Sequence, residues 1–123
     1  MSVTISKESN NCIVITIKGI LLYDDFVAAE NAGKGLFKAG DRINCLLLAT
    51  EFTGWGKEGD WGDLTNFYKN DQVIANIAVV AKEEKRDELL MFLGAGRRKA
   101  EVEFFFPDEE EDAREWLNSA VNE

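Results

Sequence analysis

The sequence contains no histidine among its 123 residues, and this absence excludes several classes of functional site. Catalytic triads that use an imidazole base, metal centres with histidine ligands and ordinary pH-6 switches are all excluded. Only one proline and two cysteines are present, and the single proline is not typical of a low-complexity chain. Cys12 and Cys45 each lie in a strand-like run, so we expect buried thiols rather than a disulfide or a metal site.

Long apolar runs and a surplus of basic residues are also missing. The longest strongly apolar runs, such as residues 46–49 and 89–94, have four to six residues, far fewer than the roughly 18 of a membrane-spanning helix. The first residues do not form a basic region followed by an apolar stretch, so we expect no secretory signal and a cytoplasmic location. Fourteen basic residues against 23 acidic ones give a net charge of −9. A nucleic acid is therefore not expected as a partner.

What the sequence does contain is an alternation of strand-like and helix-like patterns, with a hydrophobic fraction of 46% that can supply a core. Strands are predicted at residues 3–5, 12–18, 43–49, 77–81 and 101–106, and helices at about 24–38, from about 60, at 82–94 and from 108. The order ββαβαβαβα predicts one domain over residues 1–123. Its fold class is α/β, with a mixed, mostly parallel sheet of about five strands flanked by about four helices. The first strand is expected to be antiparallel, because a short turn joins it to the second.

Individual residues predict where these elements begin and end. Gly19 is expected to end the second strand, and Asp24 is expected to cap the first helix. Asp108 follows the only proline and has Glu111 three residues later, which is similar to a capping box at the start of the last helix.

Two motifs raise the question of catalysis. Gly54, Gly56 and Gly59 have the spacing of a dinucleotide-binding loop, but the predicted helix begins only after Gly59, and nearby acids would face a pyrophosphate. Acidic residues cluster in the same region, yet two of them already serve the start of the next helix; the cluster comprises Glu51, Glu58, Asp60 and Asp63. We therefore expect no enzymatic activity, no catalytic residues, no cofactor and no metal.

Aromatic residues are concentrated after the predicted third strand, where five of the 13 lie within 17 residues. Phe52 and Trp55 belong to a glycine-bracketed segment, residues 50–59, that is expected to form a mobile loop at the carboxyl end of a parallel strand. Ligand crevices of open α/β sheets form at that end. Either these aromatics are core or they line a site for a small apolar molecule. The hypothesis assigns ligand binding to Phe52, Trp55, Trp61 and Tyr68.

The predicted third helix has five consecutive apolar residues, 89–93, which point all around the helix axis, so one sheet face cannot bury them all. Met91 and Phe92 lie on the side away from Leu89 and Leu93. An apolar patch of this kind is usually a contact surface, so a homodimer through Met91 and Phe92 is predicted. The alternative is that the helix end packs beneath the basic loop at residues 97–99.

Taken in order, several of these pieces resemble the SpoIIAA-like family, a branch of the STAS fold of bacterial anti-sigma-factor antagonists. They run across nearly the whole chain: Gly19, Phe52-x-Gly54-Trp55, Trp61-x-Asp63-Leu64, Phe67, Ile77-Ala78-Val79-Val80 and Ala113-Arg114-x-Trp116-Leu117. The resemblance implies a mixed sheet flanked by helices, no known catalysis and a role in binding or carrying small hydrophobic molecules.

The chain departs from the antagonists themselves at one functional position. Their second helix begins with an Asp-Ser pair whose serine is phosphorylated, whereas this chain has no serine between Ser9 and Ser119. A phosphorylation-driven partner switch is therefore not expected. The alternative to ligand binding is a STAS-type protein-interaction or regulatory module that lacks the phosphorylatable serine.

Overall fold

The computed structural model describes residues 3–8, 12–34, 43–56, 74–92 and 101–121. These residues contain a five-stranded sheet and three α-helices. The strands are β1 (Val3–Glu8), β2 (Cys12–Leu21), β3 (Ile43–Trp55), β4 (Ile74–Ala81) and β5 (Glu101–Phe105). The helices are α1 (Tyr23–Lys34), α2 (Arg86–Phe92) and α3 (Glu110–Val121), and 3₁₀ turns at Glu83–Lys85 and Pro107–Glu109 precede α2 and α3.

The strands lie in the order β1-β2-β3-β4-β5, which is also their order in the sequence. β1 is antiparallel to β2, and every other neighbouring pair is parallel. The predicted α/β class and mixed, mostly parallel sheet are therefore confirmed. The helix predicted from about residue 60 lies outside the described residues, so three of the predicted helices are seen.

Apolar side chains cover both faces of the sheet. On one face, α1 and α2 contribute Ala29 and Leu89 to a core that includes Leu47 and Val79. On the other face, α3 packs Ala113 and Leu117 against a second core, whose strand residues include Leu46 and Val80. Because helices cover both faces, the central strands are apolar at successive positions, which explains the continuous run at residues 45–49.

One buried polar residue lies at the amino end of the sheet, on the α3 face. The Asn44 side chain is buried, and its Nδ2 donates a 3.1 Å hydrogen bond to the main-chain oxygen of Leu117. Its Oδ1 accepts a 3.0 Å bond from Nδ2 of Asn76 on β4. Buried amides are costly unless they are hydrogen-bonded, so this chain of bonds fixes how α3 lies on the sheet.

Several predicted boundaries are wrong, and the largest error concerns β2 and β3. β2 continues past Gly19 to Leu21, and β3 continues past residue 49 to Trp55. The added segments pair with each other, from Lys18↔Glu51 to Leu21↔Trp55. Residues 50–55 are thus part of a strand rather than of a mobile loop.

The helix starts differ by one to four residues from those predicted. α1 begins at Tyr23, so Asp24 lies in its first turn, and the predicted helix at 82–94 begins as a 3₁₀ turn. The last helical segment is capped earlier than predicted, because the main-chain N–H of Phe106 donates to Oε1 of Glu109 at 2.8 Å. Pro107 follows the cap because its missing N–H costs nothing at a first helical position.

A test of the β2 path is the substitution Gly19→Ala, because Gly19 has φ of 69°. A Cβ there meets no atom within 4 Å, so the expected loss of about 1 kcal/mol in the free energy of unfolding reflects backbone strain alone. The measurement is urea denaturation. The matched control is Gly54→Ala, also with open space but without a positive φ, which should leave stability unchanged or slightly raised. Equal losses in both variants would contradict the strain argument.

Candidate functional site

The candidate site lies where β2 and β3 extend past the rest of the sheet. The pairing of β3 with β4 ends at Ala49↔Ala81, whereas its pairing with β2 continues to Leu21↔Trp55. We call this two-stranded extension, residues 18–21 and 51–55, the projecting ribbon. It stands at the carboxyl end of the parallel strands, which is where open α/β sheets bind ligands.

Two irregularities in the ribbon decide which side chains face α2. The register of β2 against β3 shifts between Thr16 and Lys18 and again between Gly19 and Ile20, each time with one extra residue on β3. Strand residues normally alternate between faces, and an extra residue reverses that alternation. The core on the α2 face therefore continues from Ala49 to Phe52 and then to Trp55, at three-residue intervals.

Phe52 and Trp55, which we call the aromatic pair, are in direct contact. Phe52 is 3% exposed, whereas Trp55 is half-buried. Their ring centroids are 5.0 Å apart with an interplanar angle of 71°, the edge-to-face arrangement that aromatic rings favour. Phe52 thus serves as the buried base on which the partly exposed Trp55 rests.

Lys85 and Glu88, which we call the polar pair, border the aromatic pair from the α2 side. Trp55 Nε1 donates a 3.0 Å hydrogen bond to Oε1 of Glu88. The other carboxylate oxygen of Glu88 lies 3.6 Å from Nζ of Lys85, and that ammonium stands 5.8 Å from the centroid of the Phe52 ring. The indole is therefore held by a carboxylate that is itself paired with a cation.

The end of the ribbon is closed by a close approach of main chain to main chain. The N–H of Gly56 donates a 2.8 Å hydrogen bond to the main-chain oxygen of Leu21. A Cβ at Gly56 would stand 3.1 Å from that oxygen and 3.2 Å from Cδ2 of Leu22. A larger residue at this position would push the two strand ends apart, so the glycine supports the position of Trp55 beside it.

Of the four predicted ligand-binding residues, the structure brings Phe52 and Trp55 together. Trp61 and Tyr68 lie outside the described residues, and their role stays a prediction. The sequence interpretation missed Lys85 and Glu88. The available signal was their position at the start of the helix that follows β4, on the same edge of the sheet as Trp55.

The residues predicted to form a homodimer lie on α2. Met91 is 71% exposed, whereas Leu89, two residues earlier, is fully buried. The side chain of Phe92 lies outside the described part of the chain. The interface itself stays a prediction.

The thiols and acids of the described residues offer little reactive chemistry. Both cysteines are free, with Cys45 buried and Cys12 half-buried. Burial raises the pKa of the Cys12 thiol, and the negative charge of Glu8 raises it further, so the thiol stays protonated at neutral pH. Within the described ranges, no three His, Cys, Asp or Glu residues are grouped so that they could hold a metal ion. None of the described helices is long and apolar enough to cross a membrane.

Comparison with known proteins supplies the family. No curated protein matches this sequence. Among solved structures, the chain is similar to an uncharacterized protein from the DUF3478 family with a SpoIIAA-like fold from Shewanella loihica PV-4, with a TM-score of 0.71 over 94% of this chain and 91% of that one. The two sequences are 20% identical, so this likeness concerns the fold alone. The model of the SpoIIAA-like family matches residues 12–118, and the chain belongs to that family.

Proposed function

We propose that this chain is a non-enzymatic, cytoplasmic SpoIIAA-like domain that binds a small hydrophobic ligand at the aromatic pair. The observation that carries the proposal is the half-buried Trp55, seated on the buried Phe52 at the carboxyl edge of the sheet. A fixed indole with an accessible part is a suitable contact for an alkyl chain, because it offers a large apolar area at little cost in side-chain entropy. Trp61 and Tyr68 are proposed as further contacts of the same ligand.

The expected affinity follows from the length of the alkyl chain. Each methylene removed from water contributes about 0.8 kcal/mol, so five to ten buried methylenes contribute about 4–8 kcal/mol. This range corresponds to dissociation constants between about 1 mM and 1 μM. Ligands of about ten carbons are therefore the right probes.

The experiment is calorimetric titration of the folded protein with 1-decanol, with circular dichroism before and after. A saturable heat with one site per chain supports the proposal, and mass spectrometry of the recovered decanol should show it chemically unchanged. No saturable binding to protein that is shown to be folded would contradict it.

A second candidate function is protein interaction through α2, and the observation that favours it is the exposure of Met91. Exposed apolar side chains on a helix are frequently covered by a partner, and a second copy of the chain is the commonest partner. In this reading Met91 and Phe92 form the centre of a homodimer.

For the homodimer, the substitution Met91→Glu is expected to convert the dimer to a monomer, because two carboxylates would be brought together in an apolar contact. Sedimentation equilibrium measures the change, and Met91→Leu, which keeps an apolar side chain of similar size, serves as the control. A wild-type protein that is already monomeric at 100 μM, or a Met91→Glu variant that sediments like the wild type, would contradict the interface.

A further inference from the structure

The polar pair limits the kind of molecule that can lie against the aromatic pair, and this inference rests on the proposed function. Lys85 and Glu88 stand beside Phe52 and Trp55, with side chains 21% and 44% exposed. An alkyl chain that contacts the accessible part of Trp55 therefore has one end near a paired ammonium and carboxylate. The charge of the ligand head group must be compatible with both members of this pair.

A charged head group of either sign is unfavourable here. An anionic head would be drawn to Lys85 but would then stand beside the Glu88 carboxylate, which lies 3.6 Å from the same ammonium. A cationic head would stand beside Lys85 and compete with it for Glu88. In either case one charge of the existing pair loses part of its partner, and the alkyl chain gains nothing in return.

An uncharged head group that both donates and accepts hydrogen bonds meets neither difficulty. Its oxygen can accept from one of the three ammonium N–H groups of Lys85, and its O–H or N–H can donate to the Glu88 carboxylate. The bond between Trp55 and Oε1 of Glu88 is kept, because a carboxylate oxygen accepts more than one donor.

We propose that Lys85 and Glu88 make this site selective for apolar chains with an uncharged hydroxyl or amide head, and against fatty acids and alkylammonium ions. The two residues act as specificity determinants: they contact the head group, while the aromatic pair holds the chain.

The experiment compares three ten-carbon probes at pH 7.4: 1-decanol, decanoate and decylammonium. At this pH the carboxylate and the ammonium are both ionised. Calorimetric titration of the wild type is expected to give at least tenfold tighter binding of decanol than of either charged probe. In Glu88→Gln, which keeps an amide oxygen for Trp55, decanoate binding is expected to tighten until its difference from decanol is below threefold.

The matched control is Glu84→Gln. Glu84 is an exposed acid on the turn before α2, and it makes neither of the two contacts of Glu88. This variant changes the net charge equally and should keep the wild-type selectivity.

Two results overturn the inference: equal binding of all three probes to the wild type, or equal loss of selectivity in both variants. Either leaves the proposed function standing. If the folded wild type binds none of the three, the proposed function itself fails and the inference fails with it.

Discussion

Replacing Leu89 with alanine is expected to lower the free energy of unfolding by about 3 kcal/mol, within the range of about 2–5 kcal/mol for fully buried leucines. Leu89 has no exposed surface and belongs to the larger of the two cores. The helix that carries it, α2, has seven residues, too few to be stable without packing against the sheet. The cavity left by the substitution therefore affects both the core and the attachment of the helix.

The same helix provides the control, Met91→Ala. Met91 is 71% exposed, so its truncation removes little buried area and should change the free energy of unfolding by less than about 0.5 kcal/mol. Both variants are measured by urea denaturation at a concentration where the protein is monomeric, so that a dimer contact does not add to the result. If Met91→Ala destabilises as much as Leu89→Ala, α2 is rotated about its axis relative to the arrangement described above.

The stability of α2 has a consequence for the site. Glu88 precedes Leu89 directly, and it is the acceptor for the Trp55 indole. The leucine that anchors the helix thus also fixes the carboxylate that fixes the indole. A partial loss at Leu89 should weaken ligand binding without any direct contact between Leu89 and the ligand.

The strand order and the parallel pairing could be predicted from the sequence because they depend on local patterns. The run at residues 43–49 is apolar on both faces, which requires helices on both sides and therefore crossover connections. The short connection between β1 and β2 allows only an antiparallel pair. The clear apolar spacing that includes Ala113 and Leu117 likewise identified α3 and the face it buries.

The path of the ribbon could not be predicted in the same way. Phe52 and Trp55 fall on one face only because β3 carries two extra residues relative to β2, and these break the two-residue alternation by which a strand is recognised. Gly54 within the segment added to the impression of a loop. The pairing that makes it a strand is with residues more than 30 positions earlier, and no local pattern reports such a contact.

The hydrogen bond between Trp55 and Glu88 was invisible for a related reason. The two residues are 33 positions apart, and each alone has an ordinary explanation as a surface aromatic and a helix acid. Only the parallel order of β3 and β4 brings the end of one strand and the start of the helix after the other to the same edge. The sequence could locate the aromatic half of the site but not its polar border.

The substitution Trp55→Ala is expected to weaken the binding of 1-decanol by about ten- to a hundredfold. Contact with one large aromatic side chain is worth about 1.5–3 kcal/mol, and each 1.4 kcal/mol is a factor of ten. Phe52 does not compensate, because it is buried beneath the indole at 3% exposure and its ring already contacts Lys85. Calorimetric titration of the variant against the wild type gives the ratio directly.

The matched control for this loss is Trp116→Ala, which removes the same side chain from the opposite face of the sheet. Trp116 is partly buried and packs on Phe105, with ring centroids 6.1 Å apart, next to the core beneath α3. It should lower stability while leaving the affinity for decanol within about twofold of the wild type, since additivity holds for distant sites. If Trp116→Ala weakens binding as much as Trp55→Ala, the ligand does not lie on the projecting ribbon. Loss of binding in Trp55→Ala alone would mean that the ribbon, through the indole it holds between Phe52 and Glu88, is where the apolar chain is bound.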